Sequence, residues 1–239
     1  MSTAPRLKCL GDTDTPRYGA AGMAERVASR QGSRTRTRIL GACQQLFNER
    51  GPADVTTAEI AEVVGINEGN LYYHFQRKEQ IIEALFEEFE DSLHKVASAY
   101  LAYGDDPRRY AEYLAGWFNL MWEWRFLYRD GASIHRLCPS LRVRVKALSD
   151  TGHDQVRHAL KGMEAADLIR ATPEEIERLI VNAWIIATYW IDYLRSRRGI
   201  ARITREHIDW GASQVMGLFV PYLTPAGLTL FDMRSAKAP

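Results

Sequence analysis

Between Thr56 and Lys78 the chain reads TTAEIAEVVGINEGNLYYHFQRK, and within it Glu68, Asn70, Tyr72, Tyr73 and His74 crowd into a single short segment. These are the side-chain types that read nucleic acid. An asparagine amide pairs with adenine, and a glutamate accepts from the N4 amine of cytosine. Gly69 carries no side chain and lets the backbone come close to a duplex. Lys78 offers a compact positive charge to a phosphate.

Such groups are useful only on a surface that holds them still, and the neighbouring residues supply one. Thr56 is an N-cap with Glu59 three residues on, a capping box, and Ile60, Ala61, Val63 and Val64 give the following helix an apolar face. Gly65 breaks that helix because glycine reaches positive φ without a Cβ penalty. Ile66 plugs the turn and Asn67 caps a second helix. In that helix Leu71 and Phe75, four apart, face inward and leave Glu68, Asn70, Tyr73 and His74 facing elsewhere, with Tyr72 at the edge. This pattern predicts a helix-turn-helix.

The chain has 239 residues and a formal net charge of +1, so whole-chain charge announces no polyanionic partner. Its distribution does. Residues 1–38 hold eight Lys or Arg against three acids, an electrostatic footprint for phosphate beside the motif. Pro and Gly are scattered through residues 1–28, so residues 1–30 are expected to form a flexible basic arm. Met23 is a second candidate translation start. The three cysteines (Cys9, Cys43, Cys138) are widely spaced, which predicts neither a disulfide framework nor a zinc site, and a cytoplasmic location. Cys43 reads as a small core residue. No signal peptide is expected, and the longest uncharged apolar run, Arg178 to Asp192, is too short to span a bilayer.

Helical periodicity continues to the end. Ile39, Ala42, Cys43, Leu46 and Phe47 share a face of a helix from about Ser33 to Arg50, stopped by Gly51-Pro52. With the two motif helices this makes a three-helix unit over residues 31–78. A long helix follows from Lys78 to Gly104, roughly 40 Å at about 1.5 Å per residue. Further helices are expected from Asp106-Pro107, from Ser140 to Ala166, from Thr172-Pro173 to Arg198, and from Thr204 to about Pro221–Thr224. The stretch 131–139 reads as an irregular or helical connector. The predicted fold is all-α: a helix-turn-helix domain at 31–78, a helical ligand-binding and dimerisation domain at 79–226, and a flexible tail at 227–239.

The residues Thr56-Thr57-x-x-Ile60-Ala61, Gly65-Ile66 and Gly69-Asn70-Leu71-Tyr72-Tyr73-His74-Phe75-x-x-Lys78-Glu79 closely resemble the TetR/AcrR family of bacterial transcriptional regulators. The resemblance covers about residues 33–85, and the later half fits in helix count and layout. It implies a homodimer that binds a palindromic operator in double-stranded DNA and a bundle that binds a small-molecule effector. It further implies that Thr57 and Lys78 contact phosphates and that Tyr72, Tyr73 and His74 contact phosphates or base edges. Asn67, Glu68, Gly69 and Asn70 complete the DNA-facing set. Family members often carry a small or basic residue where this chain has Glu68, so Glu68 either accepts from cytosine or caps its helix, where the dipole favours an anion. Capping is the favoured reading.

In the bundle, Trp117, Met121, Trp124, Trp184 and Tyr189 supply aromatic and apolar surface, and Arg125 and His135 supply polar handles, for a hydrophobic or aromatic effector. The helix ERLIVNAWIIATYWIDYL is apolar nearly all round and must be buried on more than one side. Trp190 and Leu194 on it, with Trp210, Ser213, Met216 and Gly217 on the last helix, are the expected dimer seam. His153, Asp154 and His158 do not form a metal site, because histidines five apart share a helix face poorly. No cofactor is expected. Catalytic motifs are absent from the sequence, so an enzyme has no positive support. The expected function is a ligand-responsive DNA-binding repressor. The alternative is an all-α small-molecule-binding or catalytic bundle with an incidental helix-turn-helix.

Overall fold

The computed structural model describes residues 20–101 and 109–231, and its elements are helical. Cys9 and most of the expected basic arm lie outside the described residues, as do residues 232–239. The chain divides into two compact units, residues 1–38 and 39–239. The first contains the opening of α1 (Ala20–Arg50). The arm expected to be flexible through residue 30 is therefore helical from Ala20. Its run of Ala, Met, Glu and Arg favours helix strongly enough to absorb the cost of Gly22 and Gly32, about 1 kcal/mol each.

In the second unit α1 ends at Gly51, whose φ of +96° a side chain would strain. The pair α2 (Thr57–Val64) and α3 (Glu68–His74) follows, then the long α4 (Lys78–Leu101). Thr56 and Glu59 close the capping box at the start of α2, and Gly65 ends it in the left-handed region at φ +72°. Ile39, Leu40, Cys43 and Phe47 from α1 meet Ile60, Val64, Leu71 and Phe75 from the motif and Ile81, Ile82 and Leu85 from α4, all buried. Each such side chain contributes about 1.5–3 kcal/mol. Leu120, Trp124, Phe126, Ile134, Cys138 and Leu141 belong to this same cluster. The helix-turn-helix thus shares its core with the start of the bundle.

The helix expected to run on from residue 106 breaks instead into α5 (Arg109–Glu123), α6 (Arg125–Arg129) and α7 (Gly131–Leu137). The cause is a side chain from far away in sequence. Asn48 Nδ2 donates to the Glu123 carbonyl at 2.7 Å, and its Oδ1 accepts from the Phe126 amide at 3.1 Å. Those two groups are withdrawn from the helical ladder, and the helix turns there. Arg129 then reaches back, donating to the Phe47 carbonyl at 2.6 Å and the Asn48 carbonyl at 2.9 Å, with Asp130 bridging the guanidinium. These groups satisfy the open carbonyls at the end of α1.

The bundle is completed by α8 (Leu141–Ala165), α9 (Pro173–Ser196) and α10 (Arg205–Phe219). The Thr172–Glu175 capping box with proline at the first position starts α9 as expected. A 3-10 turn (Val220–Tyr222) follows α10, and α11 (Pro225–Phe231) runs into the expected flexible tail, making its first residues, 227–231, helical. They are tied down: Thr224 Oγ1 donates to the Asp167 carbonyl at 2.7 Å, and the Thr224 amide donates to the Leu168 carbonyl at 3.0 Å. A Cβ on Gly227 would sit 2.2 Å from the Leu168 carbonyl oxygen, so only glycine allows this docking. Among the described residues no helix is long and apolar enough to cross a membrane, and no three His, Cys, Asp or Glu are grouped as a metal site.

Candidate nucleic-acid interface

Helix α3 divides cleanly into two faces. Leu71 and the adjoining Phe75 are buried, whereas Tyr73 is 84% exposed and Glu68, Gly69, Asn70 and Tyr72 are also exposed. His74 is half-buried and packs edge-on to the Tyr73 ring at 5.3 Å. Asn67 caps the helix, its Oδ1 accepting from the Asn70 amide at 2.7 Å. The face that projects to solvent is therefore Gly69, Asn70 and Tyr73, with Tyr72 and His74 at its margins.

Glu68 is engaged within the motif rather than at the cap. Asn67 already holds the cap, and the Glu68 carboxylate leans across to α2, where it accepts from the Thr57 hydroxyl at 2.9 Å. Thr57 Oγ1 also lies 3.2 Å from the Tyr72 hydroxyl. Capping is thus corrected to a cross-helix tether. Lys78 is likewise engaged: at the start of α4 its Nζ donates to the Val55 carbonyl at 3.0 Å, fixing the loop that delivers Thr56 and Thr57. Glu59 is held below its usual carboxylate range, at about 2, by the Thr56 amide first and by Arg50 next. On the first unit, Arg34, Arg36 and Arg38 are exposed.

In the bundle the expected effector residues separate into groups. Trp117 and Trp184 lie 5.8 Å apart, and the buried Met121 belongs to the cluster that Trp117 packs against. Trp124 instead packs on Phe89 at 5.9 Å, in the core of the helix-turn-helix. Arg125 covers the Trp122 ring at 4.4 Å and donates to the Trp122 carbonyl, and its pKa is lowered mainly by burial. His135 is half-buried on α7, and Tyr189 is 63% exposed on the outside of α9. His153, which the sequence offers only as a metal ligand, meets Trp184 edge-on at 4.5 Å, and its buried Nε2 has no hydrogen-bond partner among the described residues. Tyr113, whose hydroxyl donates to Gln155 at 3.3 Å, belongs to the cluster that Trp117 packs against. Nothing in a helical pattern distinguishes His153 from a solvated histidine. An open groove of about 390 Å³ at Glu164–Glu175 has none of these aromatics in its lining and is flanked by Asp167 and Arg170, already paired with each other.

Three of the expected seam residues are covered by their own chain. Trp190, Leu194 and Trp210 are buried within the chain as one cluster. The Trp190 indole donates to the His207 carbonyl at 2.7 Å, and a Cβ on Gly211 would meet Trp190 at 2.5 Å. That glycine makes room for a tryptophan of its own chain. Ser213 and Met216 are half-buried and Gly217 is exposed. On α9 itself, Val181, Ile185, Tyr189 and Tyr193 are exposed, four apart along one stripe.

An all-helical chain with a capped helix-turn-helix packed on a helical bundle is a bacterial DNA-binding regulator of transcription in its architecture. The comparisons agree. Residues 39–85 match the family described as bacterial regulatory proteins, tetR family, and residues 77–231 match its bacterial transcriptional repressor domain. The crystal structure of a TetR-family transcriptional regulator from Marinobacter aquaeolei VT8 is similar at 30% identity and a TM-score of 0.72, covering 85% of this chain and 98% of that one. The transcriptional regulator TtgR of Pseudomonas putida is 37% identical over 29% of this chain and 31% of its own length. The class A tetracycline repressor of transposon 1721 from Escherichia coli is 34% identical over 41% and 43%. The chain thus spans less than half the length of these two curated relatives. This chain belongs to the TetR family of transcriptional regulators.

Proposed function

We propose that the chain is a repressor that binds a palindromic operator as a homodimer and is released by a small hydrophobic or aromatic effector. The observation that carries this reading is the face of α3. Asn70 and Tyr73 project from a helix whose other side is locked into the core, and bare Gly69 removes the obstacle to close backbone approach. Asn70 meets base edges, Tyr73 and His74 meet phosphates or bases, and Thr57, Tyr72 and Lys78 meet the backbone. The α9 stripe of Val181, Ile185, Tyr189 and Tyr193 is the seam, a self-complementary patch suited to two-fold symmetry. The effector enters beside Trp117, Trp184 and His153.

Selection from a random-sequence DNA pool tests the reading. The expected product is a palindrome with half-sites about 34–36 Å apart, bound by a dimer. Enrichment of no palindrome would overturn it.

A further inference from the structure

Between Tyr193 and Arg205 the chain holds five arginines, Arg195, Arg197, Arg198, Arg202 and Arg205, and no carboxylate, in a protein whose net charge is +1. All five are exposed, at the end of α9, in the loop and at the first residue of α10. Two have structural roles: Arg198 covers the Trp210 ring at 5.2 Å, and Arg205 pairs with Asp209 at 2.8 Å. Arg195, Arg197 and Arg202 make no ion pair with any described residue. The loop is nevertheless held in place, with Gly199 turning at φ +67° and the Ile200 amide donating to the Leu194 carbonyl at 3.0 Å. Cations at a helix C-terminus complement its dipole, which accounts for Arg195 and Arg197. It does not account for Arg202, beyond the helix end.

The location is informative. Arg205 donates to the side chain of Asn119, the neighbour of Leu120, and Leu120 lies in the core shared with the helix-turn-helix. Helix α6, whose Arg129 closes the end of α1, packs on α9. The arginine loop therefore opens at the helix-turn-helix end of the bundle. It also begins where the exposed stripe of α9 ends, at Tyr193. Two copies joined along that stripe bring their loops beside the two-fold axis. A palindrome bound by a two-fold dimer shares that axis, so the paired loops face the operator between its half-sites.

We propose that Arg195, Arg197 and Arg202 of both protomers form a second electropositive surface directed at the phosphates of the operator centre, in addition to the contacts of the helix-turn-helix. This rests on the dimeric, operator-binding reading above. Side chains that stop short of the backbone still act on it, since screening extends about 8 Å at physiological ionic strength.

The test compares the native protein with the R195A/R197A/R202A variant on the duplex that the native protein selects. Affinity is measured as a function of salt, with and without methylphosphonates at the central phosphates. The salt slope of the variant should be shallower by about 0.9 for each arginine that meets a phosphate. Central methylphosphonates should weaken native binding and leave the variant unaffected, and the triple lysine variant should restore the slope. An unchanged slope in a variant that melts like the native protein overturns the inference alone, even if the variant no longer binds a glutamate-rich peptide. Native protein that selects no duplex overturns the underlying reading, and this inference with it.

Discussion

The Thr57 hydroxyl donates to the Glu68 carboxylate across the turn that joins α2 and α3, at 2.9 Å. A hydroxyl has one proton to give. While Glu68 holds it, Thr57 presents only lone pairs outward, and the carboxylate beside it repels a phosphate. Replacing Glu68 with Gln should therefore tighten binding to unrelated duplexes by about fivefold, the equivalent of ~1 kcal/mol between unit charges about 4 Å apart in water. Binding measurements on selected and scrambled duplexes check this. Weaker binding confined to the selected sequence would instead assign Glu68 to a cytosine.

Lys78 has two partners to serve. Its ammonium anchors the Val55 carbonyl at 3.0 Å and sits at the start of α4, just after α3. Lys78→Ala should reduce the salt slope by about 0.9 for each phosphate that the ammonium neutralises. It should also lower stability by about 1 kcal/mol through the freed carbonyl. Titrations across ionic strength and a thermal melt separate the two effects. A lowered melting temperature with an unchanged slope would leave Lys78 a structural role alone.

Arg129 and Asn48 hold the end of α1 to the break between α5 and α6. The Arg129 side chain is 10% exposed and Asp130 is 21% exposed, so truncating the arginine strands both a carboxylate and the carbonyls that end α1. Arg129→Met should cost about 3 kcal/mol, a fall of roughly 6–12 °C in melting temperature at about 2–4 °C per kcal/mol. Calorimetry reads it directly. A fall of under about 2 °C would show that solvent replaces the clamp.

How much of this is legible in the sequence depends on the range of the interactions involved. The α2–α3 motif is built from caps, a glycine and a four-residue apolar spacing, all local, and these predict its helices. The break at Trp124 depends on Asn48, 75 residues from Glu123, and no local pattern carries that. The burial of Trp190, Leu194 and Trp210 within one chain escapes the sequence for a related reason. Periodicity shows that α9 is apolar on several sides but not which side its own chain covers, so it cannot tell that Trp190 and Leu194 point inward. Glu68 escapes a local reading because its partner, Thr57, lies across the turn.

Glu59 gives a pH dependence with a definite sign. Its carboxyl is lowered from an ordinary 4.5 to about 2 by the Thr56 amide and Arg50. The folded form therefore binds its proton less readily than the unfolded form. The stabilisation is fully present above pH 4.5 and disappears as pH falls from there through about 2. The native protein should lose melting temperature over that window more steeply than Glu59→Gln, which does not titrate. Parallel curves for the two proteins between pH 4.5 and 2 would remove Glu59 from the acid response.

His153 sets stability against response. A buried polar atom without a partner costs about 1–3 kcal/mol, and His153 Nε2 is such an atom beside Trp184. In a purely structural role this position would be better filled by a leucine. His153→Leu should therefore raise the melting temperature without effector by about 2–4 °C for each kcal/mol recovered. If the nitrogen serves the effector, the same substitution should abolish ligand-induced release from DNA while leaving operator affinity intact. Aromatic compounds bearing a hydrogen-bonding group should quench Trp184 fluorescence in the native protein and much less in the variant. A variant less stable than the native protein would mean that the imidazole has a partner in solution. An equal response to every compound would move the effector site away from His153.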